Sequence, residues 1–328
     1  MKRREFITLL GCTAIVWPVA VRAQQPERMK RIGVLMGIAN DAEGQARLAS
    51  FLRGLQELGW TDGRDVQIET RWAAGKADAA RTYAAELVEL APDVTLTATT
   101  VAFVAMQRAT QSVPIVFVQV VEPVKSGLVN SLAHPNGNAT GFTSFEYAIA
   151  GKWLATIKEI VPSVVRVAVV HSPEDPSSAG YLREGEALAR VLGVELVPVG
   201  AHNIAEVERA LDEFARKPNG GLIALPNAFT AAYREQIVAL AALHHLPAVY
   251  PLRYYATSGG LVSYGFDNIE LYRRAASYVD RILKGAKPSD LPIQQPIKFE
   301  LVVNLKAAKS LGLTLPESFL VRADEVIE

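Results

Sequence analysis

The chain runs to 328 residues, half of them apolar and 21% charged, with 34 Lys and Arg set against 34 Asp and Glu. That composition supports one large or two medium domains with a sizeable packed core. It excludes a basic nucleic-acid face and an acidic tail, and no apolar run of about 18 residues lacks a charge or Pro, so no membrane span is expected.

The N-terminus reads as an export leader. Lys2, Arg3 and Arg4 head a mostly apolar stretch from Phe6 to Ala20, and Val21-Arg22-Ala23 ends in the small residue that cleavage requires. Residues 1–23 are therefore expected to be a signal peptide, and a periplasmic location follows. Arg3-Arg4-Glu5-Phe6-Ile7 also resembles a twin-arginine signal, whose pathway carries folded cargo. Cys12 is the only cysteine. The apolar stretch before it is too short for a good lipoprotein box, so a lipid anchor there is not expected. Without Cys12 the mature chain has no disulfide and no thiolate metal site. Its stability in an oxidising compartment must come from packing.

Two series of alternating strands and helices follow. In the first, strands are expected at Arg31–Gly37, Val66–Thr70, Asp93–Thr97 and Ile115–Val118, with helices at Glu43–Leu58, Ala77–Leu90 and Val101–Thr110. Val66, Ile68 and Thr70 alternate with polar residues, which suits a sheet edge. A short helical piece is expected at Lys125–Leu132, then turn residues from His134 to Asn138, then a strand at Ala139–Phe145 that crosses to a second unit.

The second series starts with a helix through Trp153, Leu154, Ile157 and Val161. Strands follow at Val165–Val170, Glu195–Val199, Gly221–Leu225 and Pro247–Tyr250, with helices at Ser177–Leu192, Ile204–Arg216 and Ala231–His244. Such alternation specifies parallel sheets covered on both faces. Gly259 to Asp267 is a short apolar run between glycines and reads as a second crossing, with Gly265 expected to need φ > 0. A helix with Tyr272, Ala275, Val279 and Ile282 on one face comes next, then a proline-rich extended stretch, a last strand at Phe299–Val303 and a short helix at Ala307–Leu311. The expected division is 30–140 with 267–290 as one lobe, and 143–258 with 300–328 as the other. Segments 139–145, 259–266 and 291–299 form the crossings.

Familiar catalytic signatures are missing. There is no dinucleotide Gly-x-Gly-x-x-Gly after the first strand, no phosphate loop, no Gly-x-Ser-x-Gly elbow and no His-Glu-x-x-His. His244 and His245 are adjacent and point about 100° apart on a helix, which does not suit a shared metal. No cofactor, metal or catalytic residue is expected.

Polar residues do stand where parallel strands end, and those ends line the ligand crevice of such sheets. The candidates are Asn40, Asp41, Thr99, Thr100, Gln119 and Glu122 from the first series. The second contributes Ser172 from the run His171 to Asp175, then Asn227, Phe229, Tyr250 and Tyr254. A helix N-terminus with Thr hydroxyls can hold a carboxylate, and Glu122 can hold an ammonium by a charge-assisted bond. The aromatic residues can pack an apolar body. Each has a plainer role open to it: Thr99 and Thr100 suit a helix cap, Glu122 a solvated loop, and the aromatics a core.

Several stretches carry a family resemblance across nearly the whole chain. They include Arg3–Phe6, Pro114–Phe117, Gly127–Val129, Asn138–Gly141, Gly259–Gly265, Arg281–Pro288 and Leu291–Pro296. Together they resemble the ABC transporter substrate-binding family that includes tryptophan- and tyrosine-binding proteins of the TrpX kind. The resemblance implies a type I periplasmic binding protein fold, with two Rossmann-like lobes and a hinge of three crossings. It also implies a small-molecule ligand, a permease and its ATPase as partners, and a monomeric carrier. Relatives often carry Asp-Pro where this chain has Glu122-Pro123, and a Gly-rich loop where it has Thr97 to Thr100, so the pocket walls differ. A doubly wound enzyme using the same cleft and a ligand-presenting sensor subunit are the alternatives.

Overall fold

The computed structural model describes residues 28–135 and 137–328; the expected leader and Cys12 lie outside the described residues. The first lobe is built on β1 (Lys30–Met36), β2 (Val66–Trp72), β3 (Val94–Ala98), β4 (Ile115–Val120) and β5 (Ala139–Thr143). These form one parallel sheet in the order β2-β1-β3-β4-β5. Every residue of β3 and β5 is buried, as strands covered on both faces must be. The alternating β2 is the edge strand. Helices α1 (Ala42–Glu57), α2 (Ala77–Glu89) and α3 (Thr100–Ala109) connect the strands.

The second lobe carries α4 (Ile149–Ile160), β6 (Arg166–His171), α5 (Ser178–Leu192), β7 (Glu195–Gly200), α6 (Ile204–Phe214) and β8 (Gly220–Ala224). It continues with α7 (Ala228–Ala232), α8 (Arg234–Leu243), β9 (Ala248–Tyr250), α9 (Arg253–Thr257) and β10 (Val262–Phe266). The chain then forms α10 (Asn268–Leu283), β11 (Phe299–Asn304), α11 (Leu305–Ser310), α12 (Glu317–Leu320) and β12 (Glu325–Ile327). The second sheet has the order β12-β11-β10-β9-β8-β6-β7. It is parallel except that β10 and β11 are antiparallel. β10 runs toward the first lobe and β11 returns from it, so the two oppose each other.

Two helices are exchanged between the sheets. α4 follows β5 yet packs on α5, β8 and β9, whereas α10 follows β10 yet packs on α1 and on β3, β4 and β5. The α1–α10 contact is close because Gly54 has no side chain. A Cβ there would lie 2.7 Å from the Arg273 carbonyl oxygen. Trp60 Nε1 donates to Asp280 Oδ1 at 2.8 Å and pins the other end of α10.

Some expectations change. Lys125–Leu132 forms turns rather than a helix: the amides of Leu128 and Val129 both reach back to the Pro123 carbonyl, and Gly127 is left-handed at φ 69°. The helix expected over Ala231–His244 starts earlier and breaks at Tyr233, because Asn227 caps a separate turn. Gly265 is not among the residues with left-handed φ. It is needed because a Cβ would stand 1.8 Å from the Pro251 carbonyl oxygen.

Candidate ligand-binding site between the lobes

The parallel strands of both sheets end at a cleft, and a narrow cavity lies there, with room for water over only about 30 Å³. The lobes touch around it. Arg234 Nη1 of α8 donates to Asp41 Oδ2 at 2.6 Å. Gly75 of the first lobe presses on the start of α7, where a Cβ would lie 3.1 Å from Ala228 and Phe229 backbone atoms.

On the first lobe the backbone is forced to reach this cavity. Thr99 follows β3 with φ 84°, its amide bonded to the Val118 carbonyl at 3.0 Å. Gly37 must be glycine, since a Cβ would sit 2.2 Å from Thr99 Oγ1. Gln119 has φ 59° and stands at the register shift between Val118 and Val120. Non-glycine residues held this way cost about 1–3 kcal/mol each and persist only where the surroundings fix them. Gln119 Oε1 accepts from Arg47 Nη1 at 3.0 Å and from the Tyr272 hydroxyl at 2.9 Å.

Arg47 is the centre of that arrangement. It projects from α1 and is only 2% exposed. Nε donates to Glu43 Oε1 at 2.9 Å, one helical turn back, and Glu43 also accepts from Asn268 at 2.9 Å. The guanidinium carbon stands 5.3 Å from the Tyr254 ring and 6.0 Å from the Tyr272 ring. Burial works against its charge, but Tyr272, Tyr254 and Glu43 outweigh that and hold its pKa above the ordinary value. Burial pushes the Tyr272 hydroxyl up to about 12, so it donates rather than ionises.

The second lobe offers Asp175, Asn227, Tyr254 and an apolar floor. Asp175 Oδ1 accepts from the amide of Ser177 at 2.8 Å and from its hydroxyl. Burial raises its pKa, and the Ser177 bonds only partly offset this. Asn227 Oδ1 caps α7 through the Thr230 amide at 2.8 Å, which fixes the amide so that Nδ2 is left over. Phe145, Phe266 and Leu252 line the floor. Four buried polar atoms around the cavity have no hydrogen-bond partner among the described residues: Arg47 Nη2, Thr99 Oγ1, Ser144 Oγ and Asn227 Nδ2. Leaving such an atom unmatched costs about 1–3 kcal/mol.

Of the residues singled out from the sequence, Thr99, Thr100, Gln119, Asn227 and Tyr254 line the cavity. The others stand elsewhere. Asn40 is exposed and bonds Gln45, while Asp41 caps α1 and holds Arg234 at the rim. Glu122 Oε1 accepts from Lys125 at 2.7 Å and from the Tyr147 amide at 3.2 Å. Ser172 is buried, its carbonyl accepting from Ser178. Phe229 packs on Tyr233, and Tyr250 lies under Tyr255 with ring centroids 5.0 Å apart. Arg47, Ser144, Phe145 and Phe266 were not anticipated, and Asp175 only as part of the run from His171. The one local hint for Arg47 was Glu43 four residues earlier.

Residues 31–327 match the family model for the ABC transporter substrate binding protein. The chain belongs to that family. Among curated relatives of this substrate-binding protein, a tyrosine-binding protein of Clostridioides difficile is 23% identical over 287 residues, 88% of this chain and 82% of the relative. Among solved structures, a conserved domain protein from Vibrio cholerae superposes with a TM-score of 0.85 at 29% identity, over 91% of this chain and 100% of that one. A Streptococcus pneumoniae ABC domain in complex with L-Trp gives 0.83 at 25% identity, over 91% and 99%. These neighbours are two-lobed like the present substrate-binding protein. Among the described residues, no group of three or more His, Cys, Asp or Glu is placed to hold a metal ion. No described helix is long and apolar enough to cross a membrane.

Proposed function

We propose that this substrate-binding protein works outside the cytoplasm and hands a small amphiphilic solute, an aromatic amino acid or close analogue, to an ABC permease and its ATPase. No bond in the solute is made or broken. Residues 30–140 with 267–290 and 143–258 with 300–328 act as two bodies. Segments 139–145, 259–266 and 291–299 form the hinge between them. The observation that carries this is the convergence of Arg47 Nη2, Thr99 Oγ1, Ser144 Oγ and Asn227 Nδ2, all buried and unmatched, on one cavity with an aromatic floor. A solute that satisfies them favours the closed arrangement by its differential contacts. The relatives that bind tyrosine and tryptophan support the ligand class.

The test is a thermal-shift screen of the proteinogenic amino acids and small aromatic acids, paired with small-angle scattering. At 100 times the dissociation constant a true ligand adds about 2.7 kcal/mol, or roughly 5–10 °C in Tm, and shrinks the particle. Flat melting curves and unchanged scattering across the panel would sink the reading. Recovery of a chemically altered solute after denaturation would point to an enzyme instead.

A further inference from the structure

We propose that recognition is divided between the lobes: Arg47 on the first takes a carboxylate, and Asp175 on the second takes an ammonium and thereby draws the lobes shut. This rests on the solute-binding reading above and names how that site sorts its ligands.

Arg47 is oriented almost wholly by its own lobe. Glu43, Gln119 and Tyr272 fix it, and Gln119 is in turn fixed by the backbone at the end of β4. Two of its three nitrogens have partners; Nη2 is buried without one among the described residues. The first-lobe acid that the sequence offered for an ammonium, Glu122, is taken by Lys125 and the Tyr147 amide. What this lobe turns to the cavity is therefore cationic, and the start of α3 beside Thr99 and Thr100 adds N–H groups of the same sign. A carboxylate is its complement.

Asp175 is the reverse case. It is 4% exposed, and both hydrogen bonds to its carboxylate among the described residues come from Ser177 and go to Oδ1. Among the described residues, no cation stands with the groups that shift its pKa. A buried carboxylate without a cation opposes closure, and a ligand ammonium removes that opposition. Phe145, Phe266 and Leu252 line the same cavity as the two charges and suit an apolar body.

Binding and closing are then separable. The probes are L-tyrosine, L-tryptophan, 3-(4-hydroxyphenyl)propionate, tyramine, tyrosinamide and D-glucose, each read by calorimetry for affinity and by scattering for closure. In wild type the amino acids bind and close the lobes. The propionate binds about 30-fold or more weakly and leaves the particle open; tyramine and tyrosinamide do not bind. In Asp175→Asn the amino acids lose about 30-fold or more, and the propionate now closes the lobes. Arg47→Met loses every carboxylate ligand, and since the probe series uses wild type, failure of that variant to fold leaves the test intact. Full closure of wild type by the propionate, or binding of tyramine or tyrosinamide as tight as L-tyrosine, overturns the division of labour. So does unchanged affinity in Arg47→Met. Closure on D-glucose alone overturns it while the import reading stands; no closure on any probe removes both.

Discussion

Of the five non-glycine residues of the first lobe with left-handed φ, Ala74, Thr99 and Glu122 lie just past cleft-facing strand ends at 49, 84 and 41°, Gln119 at 59° is the last residue but one of β4, and only Ala91 at 48° lies at the far end, before β3. On the second lobe the two such residues, Asn219 and His245, precede β8 and β9 and so lie at the far ends of their strands. Cleft groups there are held by ordinary means: Asn227 caps a helical turn and Asp175 accepts from Ser177. The first lobe therefore spends backbone strain to fix Gln119, and through it Arg47. The second lobe holds its cleft groups without such strain. Strain of this kind is found where the surrounding structure over-determines a functional geometry.

The largest way to break this contrast is to stop the lobes meeting. Gly75→Val places a branched side chain against Ala228 and Phe229 and also strains its own left-handed turn at φ 78°, so ligand affinity should fall on the order of 100-fold with a smaller fall in Tm while each lobe keeps its fold. Calorimetry beside near-ultraviolet circular dichroism checks both halves, and unchanged affinity would show that the contact yields.

A pair of variants sharpens the difference. Gln119→Gly relieves strain of about 1–3 kcal/mol but leaves Arg47 Nη1 and the Tyr272 hydroxyl without their acceptor at a similar cost, so Tm should hold while affinity drops roughly 10-fold. Asn227→Ala removes a cap worth about 1 kcal/mol, so stability and affinity should fall together. If both variants move Tm in the same direction, the two lobes do not differ in the way described.

The smallest effect belongs to the rim pair. Arg234 and Asp41 side chains are 13% and 31% exposed. Arg234→Ala should weaken binding only about 2–5-fold, and less at high salt. Burial opposes the charge of Asp41, but the Gly44 amide and Arg234 outweigh that and hold its pKa below 3.8. The pair's contribution is accordingly complete above that value and is lost as pH falls through the depressed pKa. A contribution that grew on acidification would remove Asp41 from the latch.

The fold was readable because strands buried on both faces appear as apolar runs, as in Gly33 to Met36, and because Gly193 and Pro162 stop helices without ambiguity. What escaped was set by tertiary contact. α9 forms inside Tyr250 to Thr257 because its tyrosines stack, and β12 exists only through pairing with β11. Within the cavity, Thr99, Thr100, Gln119, Asn227 and Tyr254 were accessible to reasoning from strand ends. Arg47 was not, because it lies one residue before Leu48 on a helix where Phe51 and Leu55 mark the core face. Glu43 one turn earlier hints at an ion pair, but nothing local says that the guanidinium is buried. Asp175 lay in a run already suspected, and only the fold distinguishes it from Ser172.

Each of the three chain passages between the lobes ends or begins on a phenylalanine: Phe145, Phe266 and Phe299. Phe145 lies 4.7 Å from Phe266 and 6.1 Å from Phe299 between ring centroids, and Phe266 lies 6.3 Å from Phe299. Phe145 and Phe266 line the cavity, and Phe299 is not among its lining residues. On the hinge proposed above, the knuckle and the cavity floor share one aromatic cluster. Phe299 offers a handle for retuning how readily the jaws shut without redrawing the chemistry of what they hold, which is the separation an engineered optical sensor needs.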